Sequence, residues 1–231
     1  MNIYQNHRPQ QTEEHKPPRK PRDVFFDIYY QTIPIITTNL YWLLFTIPVV
    51  TAPAAVLALF HCMDMAVRGD STGWSDFIEA FRKYFWTAWL WFLIDLAVIA
   101  ILGVNIWFYQ SIGAVWSAMV QGLMIGIAIL WLCIQFYVPA VIVMQEKKSL
   151  RNSVLNAAAL VAYRPVVMGG TVLILALLFY LSTFIFIPLW IFFTAGVGAY
   201  FTSRVTLRTV QRLQKKQAKE KEQNQTPPPT V

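Results

Sequence analysis

The stretch Asn39–Pro53, NLYWLLFTIPVVTAP, decides how the rest of this chain is threaded. It lies inside a mostly apolar run from Val24 to Phe60, which is too long for one membrane crossing of roughly 20 residues. Pro48 and Pro53 lack a backbone N–H, and each disfavours helix at the residue before it. The run is therefore either a single crossing from Thr38 to Phe60, bent at the prolines, or two helices joined by a turn.

The distribution of charge favours two helices, the first from about Phe26 to Ile47 and the return helix from about Pro53 to Arg68. Three turns would then face outside, and none contains Lys, Arg, Asp or Glu: Val49–Ala52, Gln110–Gly113 and about Ser182–Pro188. All 19 Lys and Arg residues then fall in the tails, the inner loops or at helix ends. This agrees with the concentration of basic residues in cytoplasmic loops of membrane proteins.

The composition indicates a membrane protein before any motif is considered. Hydrophobic residues make up 56% of the chain and charged residues only 13%, whereas soluble domains carry about 25% charged residues. The net charge of +7 could suit nucleic acid, but the basic residues cluster beside apolar segments. We therefore predict contact with anionic lipid headgroups at the inner face and no nucleic-acid binding. Cys62 and Cys133 fit no zinc or disulfide pattern, and we expect no cofactor or metal.

These patterns predict an all-α, polytopic membrane helical bundle. Its six membrane segments form three hairpins, with two interfacial helices on the cytoplasmic side. Residues 1–23 are predicted to be a disordered cytoplasmic tail, 24–204 the helical membrane domain, and 205–231 a basic helix end followed by a disordered tail. The chain is expected in the plasma membrane with both termini cytoplasmic. The juxtamembrane basic residues suited to anionic lipid are Arg204, Arg208, Arg212, Lys215 and Lys216.

The two interfacial helices are predicted from their helical periodicity. In Trp74–Phe85 the apolar residues fall on one face, and the charged residues fall away from it. This helix either lies flat at the headgroups or docks a cytoplasmic partner or lipid through Trp74, Phe77, Phe81, Arg82 and Lys83. The second amphipathic helix is predicted at Glu146–Arg164, with these residues on its apolar face: Leu150, Val154, Leu155, Ala158 and Val161.

Between these two stretches the sequence predicts two membrane helices. The first is Trp86–Tyr109, with tryptophans at 86, 89 and 91 marking the inner interface and Trp107 with Tyr109 marking the outer one. The second runs from about Gly113 to Met144, is longer than the bilayer core, and therefore tilts, kinks at Pro139 or projects. Its G-x-x-x-G motif at 122–126 suits close helix packing, either within the chain or in a dimer.

Asp95 lies near the predicted bilayer midplane, where a carboxylate is costly and normally faces protein. Counting from the helix ends places Asn39, His61 and Gln121 at a similar depth, so the four residues form a candidate polar cluster. Asp95 either fixes helix packing through a hydrogen bond or forms a proton or substrate site. On either interpretation we expect it to face protein and to hydrogen-bond a polar group.

Several short motifs resemble the YesL family, which comprises bacterial integral membrane proteins of unknown function. They are N-L-Y-W-L-L-F at 39–45, P-A-A at 53–55, V-R-G at 67–69 and D-F-I-E-A-F-R-K at 76–83. Some members are encoded beside carbohydrate ABC transport systems, so the resemblance implies an accessory role in sugar uptake with ABC transporter subunits as partners. It implies no catalytic residues.

Three functional hypotheses follow from the sequence. The first is a transporter-associated accessory or assembly protein, and the second is a small transporter or channel with a polar midplane site around Asp95. The third is an intramembrane enzyme, which would have to use Asp95 together with His61. Because the chain lacks a P-loop, H-E-x-x-H, G-x-S-x-G and paired catalytic carboxylates, we expect no enzymatic activity.

Overall fold

The computed structural model describes the backbone of residues 21–145, 149–185 and 194–225, and the side chains of residues 33–145, 149–182 and 194–218. Within these ranges the chain is all-α, as predicted. Its helices are α1 (Pro21–Thr46), α2 (Ala52–Arg68), α3 (Trp74–Ile112), α4 (Val115–Gln135), α5 (Val138–Met144), α6 (Leu150–Tyr163), α7 (Pro165–Ile185) and α8 (Ala195–Gln225). Most of the predicted disordered tails, and the predicted turn near Pro188, lie outside the described residues.

The apolar run around the two prolines is split into two helices. α1 ends at Thr46, a 3₁₀ turn covers Val49–Thr51, and α2 begins at Ala52 with Pro53 in its first turn. Pro53 is tolerated there because the N–H groups of a first helical turn have no intrahelical partner. α1 and α2 contact each other. The break and this contact favour two packed helices over the alternative of a single crossing from Thr38 to Phe60 bent at the prolines.

Helix α2 is the centre of the bundle, since it contacts α1, α3, α5 and α8. Its small side chains allow this close approach from several directions. Ala54, Ala55, Ala58 and Cys62 are all completely buried. At its C-terminal end Arg68 pairs with the buried carboxylate of Asp64 at 2.9 Å, and Gly69 ends the helix in the left-handed conformation at φ 85°.

Helix α3 corrects the prediction of a separate interfacial helix at Trp74–Phe85. The chain forms one continuous helix of 39 residues, because no Gly or Pro interrupts it before Gly103. The buried stripe Phe77, Ala80, Tyr84 and Ala88 also runs across the predicted boundary. The amphipathic stretch is therefore the first part of the same rod that continues into the predicted membrane helix.

The level of the α1–α2 connection also differs from the prediction. Trp89 Nε1 donates a hydrogen bond of 3.0 Å to the carbonyl of Val50, whereas the sequence pattern places Trp89 at the inner face and Val49–Ala52 at the outer face. Beyond Trp89, α3 continues to Ile112 over about 34 Å, which exceeds the ~30 Å of hydrocarbon in a bilayer. If the Gln110–Gly113 turn lies outside, the α1–α2 connection does not reach that side.

The second half of the chain follows the prediction more closely. α4 ends at Gln135 and α5 begins at Val138, so the long predicted helix breaks just before Pro139. α6 forms within the predicted 146–164 segment, of which residues 146–148 lie outside the described residues. Its buried face consists of Ser153, Ala157, Leu160 and Val161. Leu155 is 55% exposed, so the apolar face is rotated from the predicted one.

Four helical stretches in the described part of the chain are long and apolar enough to cross a membrane: Val49–Arg68, Trp74–Ile112, Val115–Met144 and Pro165–Ser182. α1 adds a shorter apolar stretch, Ile33–Thr46. The sixth segment is predicted from the sequence as a return helix from Trp190 to Arg204, and its first residues lie outside the described ranges. The chain is therefore a membrane-embedded helical protein, with four rather than six spanning candidates among the described residues.

Candidate functional site

Asp95 takes part in a reciprocal pair of hydrogen bonds between α3 and α4. Trp131 Nε1 of α4 donates to Asp95 Oδ1 of α3 at 2.9 Å. About one turn away, Trp91 Nε1 of α3 donates to Gln135 Oε1 of α4, also at 2.9 Å. Each helix thus supplies one indole donor and, four residues later, one acceptor. This arrangement fixes the antiparallel register of the two helices.

The pair of hydrogen bonds explains how a carboxylate is accommodated so far along an apolar helix. Asp95 is half-buried, and one of its oxygens accepts from a neutral donor on the neighbouring helix. Polar side chains inside membrane proteins normally find such partners on adjacent helices. The expectation that Asp95 faces protein and hydrogen-bonds a polar group is confirmed.

The predicted cluster of Asn39, His61, Asp95 and Gln121 is not assembled. The ring of His61 lies 5.8 Å from that of Tyr84, and Tyr84 precedes Asp95 by eleven residues, or about 16 Å along the helix. Gln121 precedes Trp131, the partner of Asp95, by ten residues, or about 15 Å. Counting depth from the helix ends assumes that all helices begin and end at the same two levels of the membrane. This assumption fails because α3 extends far beyond the α1–α2 connection.

Asn39 instead fixes a close crossing of α1 and α8. Its Oδ1 accepts a hydrogen bond of 2.7 Å from the backbone N–H of Gly196, and Asn39 is completely buried. A Cβ atom on Gly196 would lie only 2.8 Å from the carbonyl oxygen of Ile35. Only glycine therefore allows the two backbones to approach this closely, and the Asn39 side chain satisfies an N–H near the start of α8.

Gln121 lies at the other end of the α3–α4 pair. It lines a small open cavity of about 290 Å³ together with Tyr109, Gln110 and Ser117. The α3–α4 turn at Gly113, which adopts φ 69°, contributes to the same cavity. Gln121 is therefore part of a polar end of the helix pair and is remote from Asp95.

The predicted docking surface is divided by the fold. Phe77 is completely buried against the rings of Tyr41 and Phe45, whose centroids lie 5.8 and 5.6 Å from its own. Its assignment as a docking residue is therefore corrected to core packing. The helical periodicity showed an apolar face but not which element covers it. In the structure α1 and α2 cover it.

The other predicted docking residues are at least partly exposed. Trp74 is 47% exposed, while one edge of its ring system contacts Tyr41 at a centroid distance of 4.9 Å. Phe81 is half-buried and packs on Phe45 at 5.0 Å. Arg82 and Lys83 are exposed. A docking surface on this part of α3 would thus consist of the two basic residues and the outer face of Trp74.

A larger cavity of about 400 Å³ opens between α1, α2, α7 and α8. Its walls are almost entirely apolar and include Trp42, Phe60, Leu175 and Ala199. Such a lining suits an alkyl chain and offers few polar groups to a sugar. Among the described residues, no group of three or more His, Cys, Asp or Glu side chains is arranged to hold a metal ion.

Sequence reasoning missed both of the contacts that organise these sites. The Trp–acceptor spacing of four residues occurs in 91–95 and again in 131–135, and this repetition is the signal that could have indicated the α3–α4 register. The Asn39–Gly196 contact joins residues 157 positions apart. No local pattern identifies Gly196 among the chain's glycines.

Comparison with known proteins finds one family. The family model described as protein of unknown function DUF624 matches residues 35–106, which cover α1 from its apolar part, α2 and most of α3. DUF624 is the domain found in YesL-like proteins, so the match agrees with the resemblance seen in the motifs. No curated protein and no solved structure matches the chain.

Proposed function

We propose that this chain is an accessory or assembly subunit of a carbohydrate ABC transport system, embedded in the plasma membrane and without enzymatic activity of its own. The supporting observation is a two-helix arm, formed by residues 90–132 of α3 and α4, that leaves most of its apolar surface open. Past Ala88, α3 has no buried residue in the described structure, and α4 has only Ser117 and Gln135.

The arm has the properties expected of a surface that binds transmembrane helices. The two indole hydrogen bonds keep α3 and α4 in one register, so the arm presents a defined shape. On α4, Gly122 and Gly126 are exposed, and a Cβ on either would meet no atom within 4 Å. Small residues at this spacing allow another helix to approach closely. Of the two alternatives for this motif, packing within the chain receives no support among the described contacts.

The carbohydrate ABC system enters the proposal through the family resemblance. The motifs of residues 39–83 resemble YesL proteins, some of which are encoded beside such systems, and residues 35–106 match DUF624. The partner would be a permease subunit, because the arm offers an apolar surface to another membrane-embedded protein. The exposed pair Arg82 and Lys83 would then be accessible to cytoplasmic parts of the same assembly.

The topology that we propose keeps both termini in the cytoplasm and retains six membrane segments as three helical pairs. These pairs are α1–α2, α3–α4 and α7–α8. In this topology the first pair reaches only part of the way across the membrane, which the contact between Trp89 and Val50 supports. The uncharged turn at residues 110–113 supports an outer location for the end of the second pair.

The alternative is a small transporter or channel with its polar site around Asp95. Such a protein needs polar groups converging on a cavity at membrane depth. Asp95 accepts a hydrogen bond from Trp131. His61 and Gln121 lie at other levels of the bundle, and the larger cavity is apolar. These observations favour the accessory role.

Affinity purification from mildly cross-linked cells tests the proposal. Wild-type protein should recover the permease subunits of a carbohydrate ABC importer. Gly122→Ile combined with Gly126→Ile should reduce that recovery at least about tenfold, a change of roughly 1.4 kcal/mol in binding, because the larger side chains prevent close approach of a partner helix. The chain itself should fold normally, since both positions face open space. Leu173→Phe with Leu177→Phe adds bulk at exposed positions of α7 and serves as the control, with recovery unchanged.

Two results would contradict the proposal. The first is equal recovery of the permease with the glycine double variant and with wild type, which would remove the arm as the contact surface. The second is absence of any permease, together with sugar uptake by the purified protein in proteoliposomes. That outcome would establish the transporter alternative, and Asp95→Asn would then be the variant to measure for loss of uptake.

A further inference from the structure

The described part of α8 is divided into a buried face and a basic face. Ser203, Thr206, Thr209 and Val210 are at most 2% exposed and pack toward the bundle. Arg204, Arg208 and Arg212 repeat every four residues and are all exposed. Residues four apart lie on one side of a helix, so these three guanidinium groups form a ladder about 12 Å long.

The ladder carries positive charge that the described residues do not neutralise. Every charged residue from 195 to 218 is basic. The described contacts include an ion pair within α2, between Arg68 and Asp64. They include no ion pair of Arg204, Arg208 or Arg212. An arginine ladder of this kind suits phosphate groups, because guanidinium groups bind phosphate oxygens through paired N–H donors.

A second contact indicates the level at which the ladder lies. Lys216 Nζ lies 6.0 Å from the centre of the Tyr163 ring, and Tyr163 comes two residues before Pro165, where the apolar helix α7 begins. Leu213 packs against the central hydrophobic cluster. The end of α8 therefore stays close to the start of α7, and the ladder begins about one turn before this contact, at Arg212, and continues back along α8.

We propose that Arg204, Arg208 and Arg212 form a binding site for the headgroups of anionic phospholipids on the cytoplasmic side of the membrane. The site does not depend on the accessory role proposed above. It uses a face of α8 that is remote in sequence from the α3–α4 arm. Basic juxtamembrane segments are attracted to anionic lipid surfaces, and each arginine contributes separately to that attraction.

Titration of phosphatidylglycerol into the detergent-purified full chain tests the site, with bound lipid counted by native mass spectrometry. Wild type should bind phosphatidylglycerol in preference to phosphatidylcholine. Replacement of all three arginines by Gln should weaken phosphatidylglycerol binding about a hundredfold. Replacement of all three by Lys, which retains the charge but not the paired N–H donors, should restore part of the binding.

Arg82→Gln with Lys83→Gln removes two exposed basic residues from α3 and is the matched control. Its phosphatidylglycerol binding should stay within about twofold of wild type, since a change of that size is below about 0.5 kcal/mol. Equal loss in the control would overturn the site, because binding would then follow total charge. Unchanged binding in the triple Gln variant, or competition by inorganic phosphate alone at equal concentration, would also overturn it. If the triple variant is poorly folded, Arg208→Gln alone should still weaken binding about fivefold.

Discussion

Two glycines on α8, two residues apart, differ in the space around them and give a matched test of the α1–α8 crossing. Gly196 faces the backbone of Ile35, whereas the position that a methyl group would occupy on Gly198 has no atom within 4 Å. Gly196→Ala should lower the free energy of unfolding by about 1–3 kcal/mol, since the helices must move apart. Gly198→Ala should be neutral or slightly stabilising, because Ala favours helix over Gly.

Unfolding in a detergent titrated with SDS measures both glycine variants. A loss of stability at Gly198 as large as that at Gly196 would mean that helix α8 is sensitive to any added methyl group. The close contact between Gly196 and Ile35 would then not explain the result. Equal stability of both variants with wild type would show that α1 and α8 can separate without cost.

The hydrogen bond between Asp95 and Trp131 gives a second prediction for single residues. Asp95→Asn keeps an oxygen acceptor for the indole N–H and should change stability by less than about 0.5 kcal/mol. Trp131→Phe removes the donor and should cost about 1 kcal/mol, in the range measured for hydrogen bonds between membrane helices. A larger loss in Asp95→Asn than in Trp131→Phe would show that the carboxylate charge itself is required.

At this scale the sequence predicted that Asp95 would have a partner but not which one. The cost of a lone carboxylate in an apolar helix is local information, whereas the identity of the donor depends on how α3 and α4 are aligned. Counting depth from helix ends placed Asn39, His61 and Gln121 near Asp95. That count failed because a helix that begins at one surface of the membrane does not always extend to the opposite surface.

At the scale of elements, the first half of α3 is a packing helix. Phe77 is completely buried, and Glu79, two residues later, is exposed. Phe77→Ala should lower stability by about 3–5 kcal/mol, the range for a truncated core phenylalanine. Glu79→Ala should change stability by less than about 0.5 kcal/mol. Thermal unfolding of the two variants in the same detergent gives the comparison.

A stable, well-folded Phe77→Ala protein that had lost a binding partner would contradict core packing and restore the docking interpretation of this residue. The sequence could show that Trp74–Phe85 has one apolar face, but a face that contacts lipid and a face that packs on α2 have the same periodicity. The absence of Gly and Pro from Trp74 up to Gly103 was the signal that the two predicted helices form one.

At the scale of the whole molecule, composition and charge were sufficient for the class, and prolines indicated several of the helix boundaries. The prolines at 48 and 53 marked the break between α1 and α2, and Pro165 marked the start of α7. Hydropathy does not reveal the relative levels of the proposed helical pairs in the membrane, because it assigns each pair the full thickness of the bilayer. The contact between Trp89 and Val50 supplies this information.

The arrangement of the helices in the membrane is tested most directly by cysteine labelling of intact cells with a membrane-impermeant maleimide. Single cysteines are placed at exposed positions, Ser111→Cys, Val49→Cys and Gln217→Cys, in a chain with Cys62→Ala and Cys133→Ala. Ser111→Cys should be labelled from outside, whereas Val49→Cys and Gln217→Cys should not. Labelling of Val49→Cys as fast as Ser111→Cys would show that α1–α2 crosses completely, and labelling of Gln217→Cys from outside would contradict the cytoplasmic end of α8.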